Sequence, residues 1–488
     1  MTVGAGGATA KERWLATLLV AVLSALVLVP RLGSPAQPTW DEAYYLTSTQ
    51  RYLEGTAQFA SHPPLGLMLI AAGALVVDDN QDLPVHRLAE TKSVKGEEVP
   101  VGYSYWGVRA ASVLFGVLGA ALFFRLALVL TGGRLGAALA FANLYIFDNA
   151  LAVQFRAGHL DAFQSAFLLA ALLVLAIAAR RGRPRLVEAL AFGGLIGLAA
   201  MVRLNALVLA PIGLLLPALV LRGSRPWRTA TVHAGALAVG GLAAIVATMV
   251  VHLAVAPLPP MRGEPAGARD AAFVSPTYRA FLEGRRSLSP AVVWAAGADY
   301  RRYIAGDFAG TPKADPNGSS PLAWPVMGGA INYRWDSDGH TTSYLQLAGN
   351  PAGWTIGLLG VLGAAVLLVL RGARDDEATA RRRLILTLLA GWAIFMAAHL
   401  MLAQQRVLYL YHYFPGLLLS WALAVLAFEE ACARWPVFAC RRGLLLAGGA
   451  GAVLLGFLFY APFTYHRPLT HAACAARTLL DPRVVDCR

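Results

Sequence analysis

The chain has 488 residues, of which 57% are hydrophobic and 14% charged, with a formal net charge of +13. A soluble domain carries about 25% charged residues, so this composition excludes an ordinary soluble globule. The basic excess would suit a polyanion if it formed one patch, but it is dealt out among short segments between apolar runs, and no nucleic-acid partner is expected.

From the N-terminus onward, nine runs are nearly free of charge: residues 14–30, 160–179, 186–201, 206–221, 229–256, 354–370, 384–402, 407–428 and 444–463. A bilayer core needs about 20 apolar residues per helix, and a soluble core could bury one or two such runs but not nine. Residues 110–130 and 134–147, each with a polar residue inside or at its end, bring the expected spans to eleven. No small-residue cleavage site follows the first run, which reads as an uncleaved helix. With Lys11 and Arg13 in the cytoplasm, the Arg-rich segments 132–134, 180–185, 222–228, 371–383 and 429–442 all fall on that side. That is the positive-inside pattern.

The long segments 31–107 and 257–353 then lie outside, with the shorter connection 148–161. Within the first, residues 65–77 are short for a span and read as an interfacial or re-entrant helix. The expectation is an all-α polytopic protein of about eleven transmembrane helices with two large outer-face loops. Its parts are an N-terminal transmembrane module at 1–256 (helices 1–7), a periplasmic loop at 257–353, a C-terminal module at 354–463 (helices 8–11) and a periplasmic tail at 464–488. The membrane is expected to be a bacterial inner membrane, with the working face outside, because irregular sequence concentrates there.

Cys432 and Cys440 fall in the last cytoplasmic loop, whereas Cys474 and Cys487 share the outer tail, where a disulfide persists. Those two are expected to pair. No cysteine set has zinc-ligand spacing, and Asp336-Ser337-Asp338 lies on the side without nucleotide sugars, so neither a metal nor a cofactor is expected. Gly193, Gly194 and Gly197 read as a close helix contact. His233, His252 and His399 read as packed or hydrogen-bonded residues.

Four polar clusters stand out, all on the outer side. Trp40-Asp41-Glu42 follows the first helix; paired carboxylates at a membrane surface suggest function, although Thr39 or Asp41 could simply cap a helix. Ser61-His62-Pro63-Pro64 forms a rigid turn. Asp148, Gln154, Arg156, His159 and Asp161 crowd one short connection. Arg406 precedes Tyr409 and Tyr411-His412-Tyr413, a mixture that suits a phosphate and a sugar, or an interfacial aromatic belt.

Taken in order, these clusters resemble the protein O-mannosyltransferase family of membrane glycosyltransferases with the C-type fold. Trp40-Asp41-Glu42 looks like its acidic motif, and His62-Pro63-Pro64-Leu65-Gly66 looks like its His-Pro-Pro-Leu-Gly-Lys motif, with Leu67 standing where the family has Lys. Arg109-Ala110, the string from Phe147 to Phe163, Ser319-Ser320 with Trp324-Pro325, Gly349-Asn350-Pro351 and Tyr411-His412-Tyr413 continue the resemblance over most of the chain. No sugar-binding trefoil module interrupts residues 257–353.

The resemblance implies an inverting transfer of a mannose-like pentose or hexose from a polyprenyl-phosphate carrier to a hydroxyl of a protein, lipid or glycan. Asp41 would be the base, with Glu42 secondary. Arg109 and Arg406 would hold the donor phosphate, and His62, Asp148, Arg156, Asp161, Trp324 and His412 would line the substrate site. The alternatives are a lipid-linked sugar flippase, a non-catalytic carrier-binding protein, or a transferase of aminoarabinose to lipid A. A flippase would place ionisable groups near mid-membrane on several helices.

Overall fold

The computed structural model describes residues 8–77, 79–182, 184–215, 226–260, 265–370, 376–478 and 487. Its main helices are α1 (Ala10–Leu28), α2 (Glu42–Leu53), α3 (Pro64–Val77), α4 (Trp106–Leu130), α5 (Leu135–Ile146), α6 (Asn149–Phe155) and α7 (Asp161–Arg181). They continue as α8 (Leu186–Ala200), α9 (Pro226–Val255), α10 (Pro290–Gly310), α11 (Pro351–Val369), α12 (Asp376–Leu402), α13 (Phe414–Arg434) and α14 (Arg442–Thr464).

Among the described residues, seven helices are long and apolar enough to cross a membrane: α4, α7, α9, α11, α12, α13 with its lead-in from Leu410, and α14. The pair α5–α6, bent by 60°, makes an eighth if counted as one broken span. The expected eleven are not all of this kind, for local reasons. Lys11, Glu12 and Arg13 occupy the first turn of α1 and shorten its apolar part. Helix α8 has 15 residues, about 22 Å at 1.5 Å per residue, less than a bilayer core. The run 206–221 is described only to residue 215, so that expected span lies partly outside the described residues.

The expected modules 1–256 and 354–463 share one hydrophobic core, to which α4 gives Phe123, α7 Leu169, α12 Phe395 and α13 Trp421. Small residues set the tightest contacts. A Cβ on Gly193 would collide with the Leu237 carbonyl oxygen, and one on Gly197 would sit 2.7 Å from that of Gly241, so α8 and α9 touch backbone to backbone. Helix α3 packs one side closely on α4: a Cβ on Gly73 would meet the Gly107 carbonyl at 2.7 Å. The three intramembrane histidines are bonded as expected, His233 to the Thr229 carbonyl at 2.8 Å, His252 to the Tyr52 hydroxyl at 2.9 Å and His399 to the Phe395 carbonyl at 2.9 Å.

The two faces differ. On the Arg-rich face, the buried carboxylates Glu429 and Glu430 at the end of α13 gather cations from several helices. Glu429 takes Arg134 at 2.7 Å and also Arg442, and Glu430 takes Arg381 at 2.8 Å and Arg434 at 2.6 Å. The opposite face carries the long segments and a small antiparallel sheet that the all-α expectation did not include. Strands β1 (Ile331–Ser337) and β2 (Thr341–Leu347) form a hairpin, and the tail adds β3 (Leu469–Thr470) beside β2. The Cys474–Cys487 disulfide staples the tail next to that strand, with 5.7 Å between Cα atoms.

Candidate active site

The acidic pair is divided by helical geometry. Asp41 precedes α2 and makes no capping hydrogen bond to it, so its carboxylate is not engaged as a helix cap. Trp40 before it has φ +50°, a left-handed conformation that costs a bulky residue about 1–3 kcal/mol and has to be held by its surroundings. Three aromatic residues hold it: Tyr333 stacks on the indole at 5.3 Å, Tyr409 meets it edge-on at 5.6 Å, and the Tyr411 hydroxyl accepts from Nε1 at 3.5 Å. The turn points Asp41 into a 230 Å³ cavity on the loop-rich face.

Glu42 turns the other way. It is 1% exposed and accepts from Arg109 Nε and Nη2 at 2.7 and 2.8 Å, from the Gly158 amide at 2.7 Å and from the Thr39 amide at 2.8 Å. Burial alone would raise this carboxyl, but Arg109, with His159 and the Gly158 amide, outweighs it and lowers Glu42 from its ordinary value.

Arg109 is correspondingly spent, which corrects its expected role. Besides Glu42 it donates to the carbonyls of Leu32, Pro35 and Gln37 at 2.9–3.0 Å, so all five guanidinium hydrogens are used. It anchors the loop between α1 and α2 and has nothing left for a phosphate.

The cavity has other cations. Arg203, at the turn after α8, and Arg406, between α12 and α13, both line it with Asp41. Arg203 pairs with Asp161 at 3.1 Å and packs over the Tyr411 ring, leaving its buried Nε hydrogen without a partner among the described residues. The buried Nε of Arg406 likewise has none there, and its guanidinium sits over Phe308 at 5.2 Å. Arg406 lies in a loop. Buried cationic donors facing a cavity are equipped for an anion with several oxygens.

His62 and His412 line the same cavity. Burial, then the nearby Arg203 and Arg406, push His62 well below its ordinary value, so it is a neutral ring. Asp41 is shifted the opposite way: burial raises it, against the pull of Arg203 and His159. Tyr45 lies close, with its hydroxyl 3.4 Å from the Asp41 carboxylate.

Four expected substrate residues lie behind this wall. Asp148 caps α6 through the Leu151 amide at 2.9 Å and accepts from the Asn350 amide at 3.0 Å and Trp354 Nε1 at 2.8 Å, tying α6 to α11. Arg156 donates to the Val27 and Arg31 carbonyls and stacks on Tyr465 at 4.5 Å. Trp324 is fully buried, bonded to Ser319 Oγ at 2.9 Å and packed beside His412. Asp161 acts through Arg203. All four find partners inside the protein, as braces do. Arg203 itself escaped the sequence reading, yet a signal was there. It is a lone arginine in a very short connection between two apolar runs, on the side that the positive-inside pattern disfavours for short basic loops.

Comparison with known proteins fits this geometry. The profile of the dolichyl-phosphate-mannose-protein mannosyltransferases matches residues 18–253, and that of the C-terminal four-transmembrane region of protein-O-mannosyltransferase matches residues 304–482. The chain belongs to the protein O-mannosyltransferase family. A curated relative in this family, Protein O-mannosyl-transferase 2 of Danio rerio, is 29% identical over 131 residues, 27% of this chain and 16% of that protein. The Saccharomyces cerevisiae protein O-mannosyltransferase Pmt1–Pmt2 complex bound to the sugar donor superposes with a TM-score of 0.79 at 15% identity, covering 98% of this chain and 93% of that one. An Archaeoglobus fulgidus oligosaccharyltransferase tethered with an acceptor peptide has a TM-score of 0.50 at 13% identity, over 97% and 58%. At these identities the structural likenesses establish the fold.

Proposed function

We propose that this family member moves a mannose-like sugar from a polyprenyl-phosphate carrier to a hydroxyl acceptor, with inversion, at the extracytoplasmic face of a bacterial inner membrane. The observation that carries the reading is one cavity holding an uncapped carboxylate, Asp41, with two cations that have spare buried donors, Arg203 and Arg406. A carrier lipid is confined to the bilayer, so its phosphate arrives at the membrane surface, and this reading puts the cavity there.

The reaction is a single displacement. Asp41 takes the acceptor's hydroxyl proton as that oxygen attacks the anomeric carbon from the face opposite the phosphate. The bond from that carbon to the phosphate oxygen breaks, and its electron pair leaves with the phosphate, whose extra negative charge Arg203 and Arg406 stabilise. A raised carboxyl suits the base, since proton acceptance improves as its pKa approaches the working pH. A neutral His62 is left to orient hydroxyls. Family membership favours a protein hydroxyl over a lipid or glycan as acceptor. The carboxylate and the spare cations of the proposed chemistry lie at one face rather than on several helices at mid-membrane, which favours an enzyme over a flippase.

Purified protein incubated with defined polyprenyl-phosphate sugars tests this. Transfer with an inverted anomeric centre is expected. Arg203→Ala and Arg406→Ala should each weaken carrier binding by about 1.5–3 kcal/mol, the worth of hydrogen bonds to a charged group. Carrier binding by the wild type with no transfer to any acceptor would reduce the protein to a carrier-binding factor.

A further inference from the structure

The outer hairpin reaches the site through one side chain. Its register is Asn332 opposite Gln346, then Arg334 opposite Leu345, which leaves Tyr333 as the extra residue of a β-bulge. A bulge bends its strand and re-aims one side chain, and bulges gather beside active sites for that reason. Here the re-aimed ring does two things at once. It stacks on Trp40 at 5.3 Å, on the residue whose left-handed turn delivers Asp41. Its hydroxyl donates to Gln154 Oε1 at 2.6 Å. Gln154 in turn donates from Nε2 to Asp161 Oδ2 at 2.6 Å, and Asp161 Oδ2 accepts from Arg203 Nη2 at 3.1 Å.

We infer that Tyr333 is a positioning residue, which fixes both the Asp41 turn and, through Gln154 and Asp161, the direction of the Arg203 guanidinium. The inference rests on the site proposed above. Tyr333 does not itself line the cavity, so it acts through the groups that do. Gln154 is fully buried and Asp161 and Arg203 nearly so, which makes the relay stiff: each member has one place to put its hydrogen bond. Gln154 is the link that needs an amide, accepting from Tyr333 on one end and donating to Asp161 on the other. A carboxylate there would face Asp161 with like charge.

Tyr333→Phe removes the hydroxyl and keeps the stack, and Gln154→Glu breaks the next link. Each should weaken binding of polyprenyl phosphate, used without sugar, by about three- to tenfold, the range for losing one hydrogen bond's worth of order. Because a loosened Arg203 exerts less positive field on Asp41, the acid limb of the pH–kcat/KM profile should move to higher pH in both. The double variant should lose no more than the worse single one, as expected for members of one network. Trp335→Ala, at an exposed residue of the same strand, is the control and should match wild type. Wild-type binding and an unmoved acid limb in Tyr333→Phe would overturn the inference, and so would additive losses or an equal loss in Trp335→Ala. The binding arm reads the relay even if the wild type transfers no sugar, so failure of the proposed reaction and failure of this inference are told apart.

Discussion

Successive residues of a helical turn point about 100° apart, so Asp41 and Glu42 were free to take different fates, and they did. Asp41→Asn keeps shape but removes basicity, so turnover is expected to fall about 10²–10⁴-fold while carrier binding persists, measured by single-turnover transfer and by lipid binding. Since the base works only when deprotonated, and burial raises the Asp41 carboxyl, kcat/KM should decline as pH falls through a value above the ordinary carboxylate range. An acid limb at an unshifted carboxylate value would place the base elsewhere. Glu42→Gln should show the opposite profile. It leaves the Arg109 charge buried without its carboxylate, a loss of about 3–5 kcal/mol of stability, read by thermal unfolding in detergent. A stable Glu42→Gln that cannot turn over would exchange the two roles. The motif spacing made the pair visible, but not which member faces the cavity, because adjacency in sequence carries no facing information without the φ of Trp40.

At the level of elements, apolar runs made the long helices readable, since a bilayer imposes one composition on every span. The same runs also pick out α1 and α8, which length and interrupting charge, not apolar content alone, separate from the long spans. The hairpin left almost no trace. Strands β1 and β2 hold Arg334, Asp336, Ser337 and Gln346 among their apolar residues, and the third strand of their sheet comes from a tail more than a hundred residues away. For that reason Tyr333 and the bulge were invisible in the sequence, whereas the Cys474–Cys487 pairing was readable from compartment alone. Closing so short a loop contributes about 3 kcal/mol. Replacing both cysteines with serine is therefore expected to free β3 from β2 and expose the tail to limited proteolysis. Peptide mapping without reductant should find the two linked in the wild type, and two free thiols there would remove the staple from the account.

The whole molecule works only if its two faces see different compartments, and the charges decide which is which. The Arg-rich face is held together by Glu429, Glu430 and Glu377, so much of its positive charge is locally neutralised. Orientation nevertheless follows the Lys and Arg count, because acidic residues contribute little to the positive-inside effect. That face is therefore expected in the cytoplasm, and the cavity with Asp41, Arg203 and Arg406 outside. Native chemistry supplies half of a test. Cys440 is an exposed free thiol on the Arg-rich face, while the two tail cysteines are sealed in their disulfide. Trp335→Cys would add an exposed thiol on the hairpin at the opposite face. In intact cells a membrane-impermeant maleimide should label that variant at its added hairpin thiol and leave Cys440 unreacted until the membrane is permeabilised. Labelling of Cys440 in intact wild-type cells would invert the molecule. It would put the cavity in the cytoplasm and the disulfide in a reducing compartment, where neither the tail staple nor an extracytoplasmic transfer could stand.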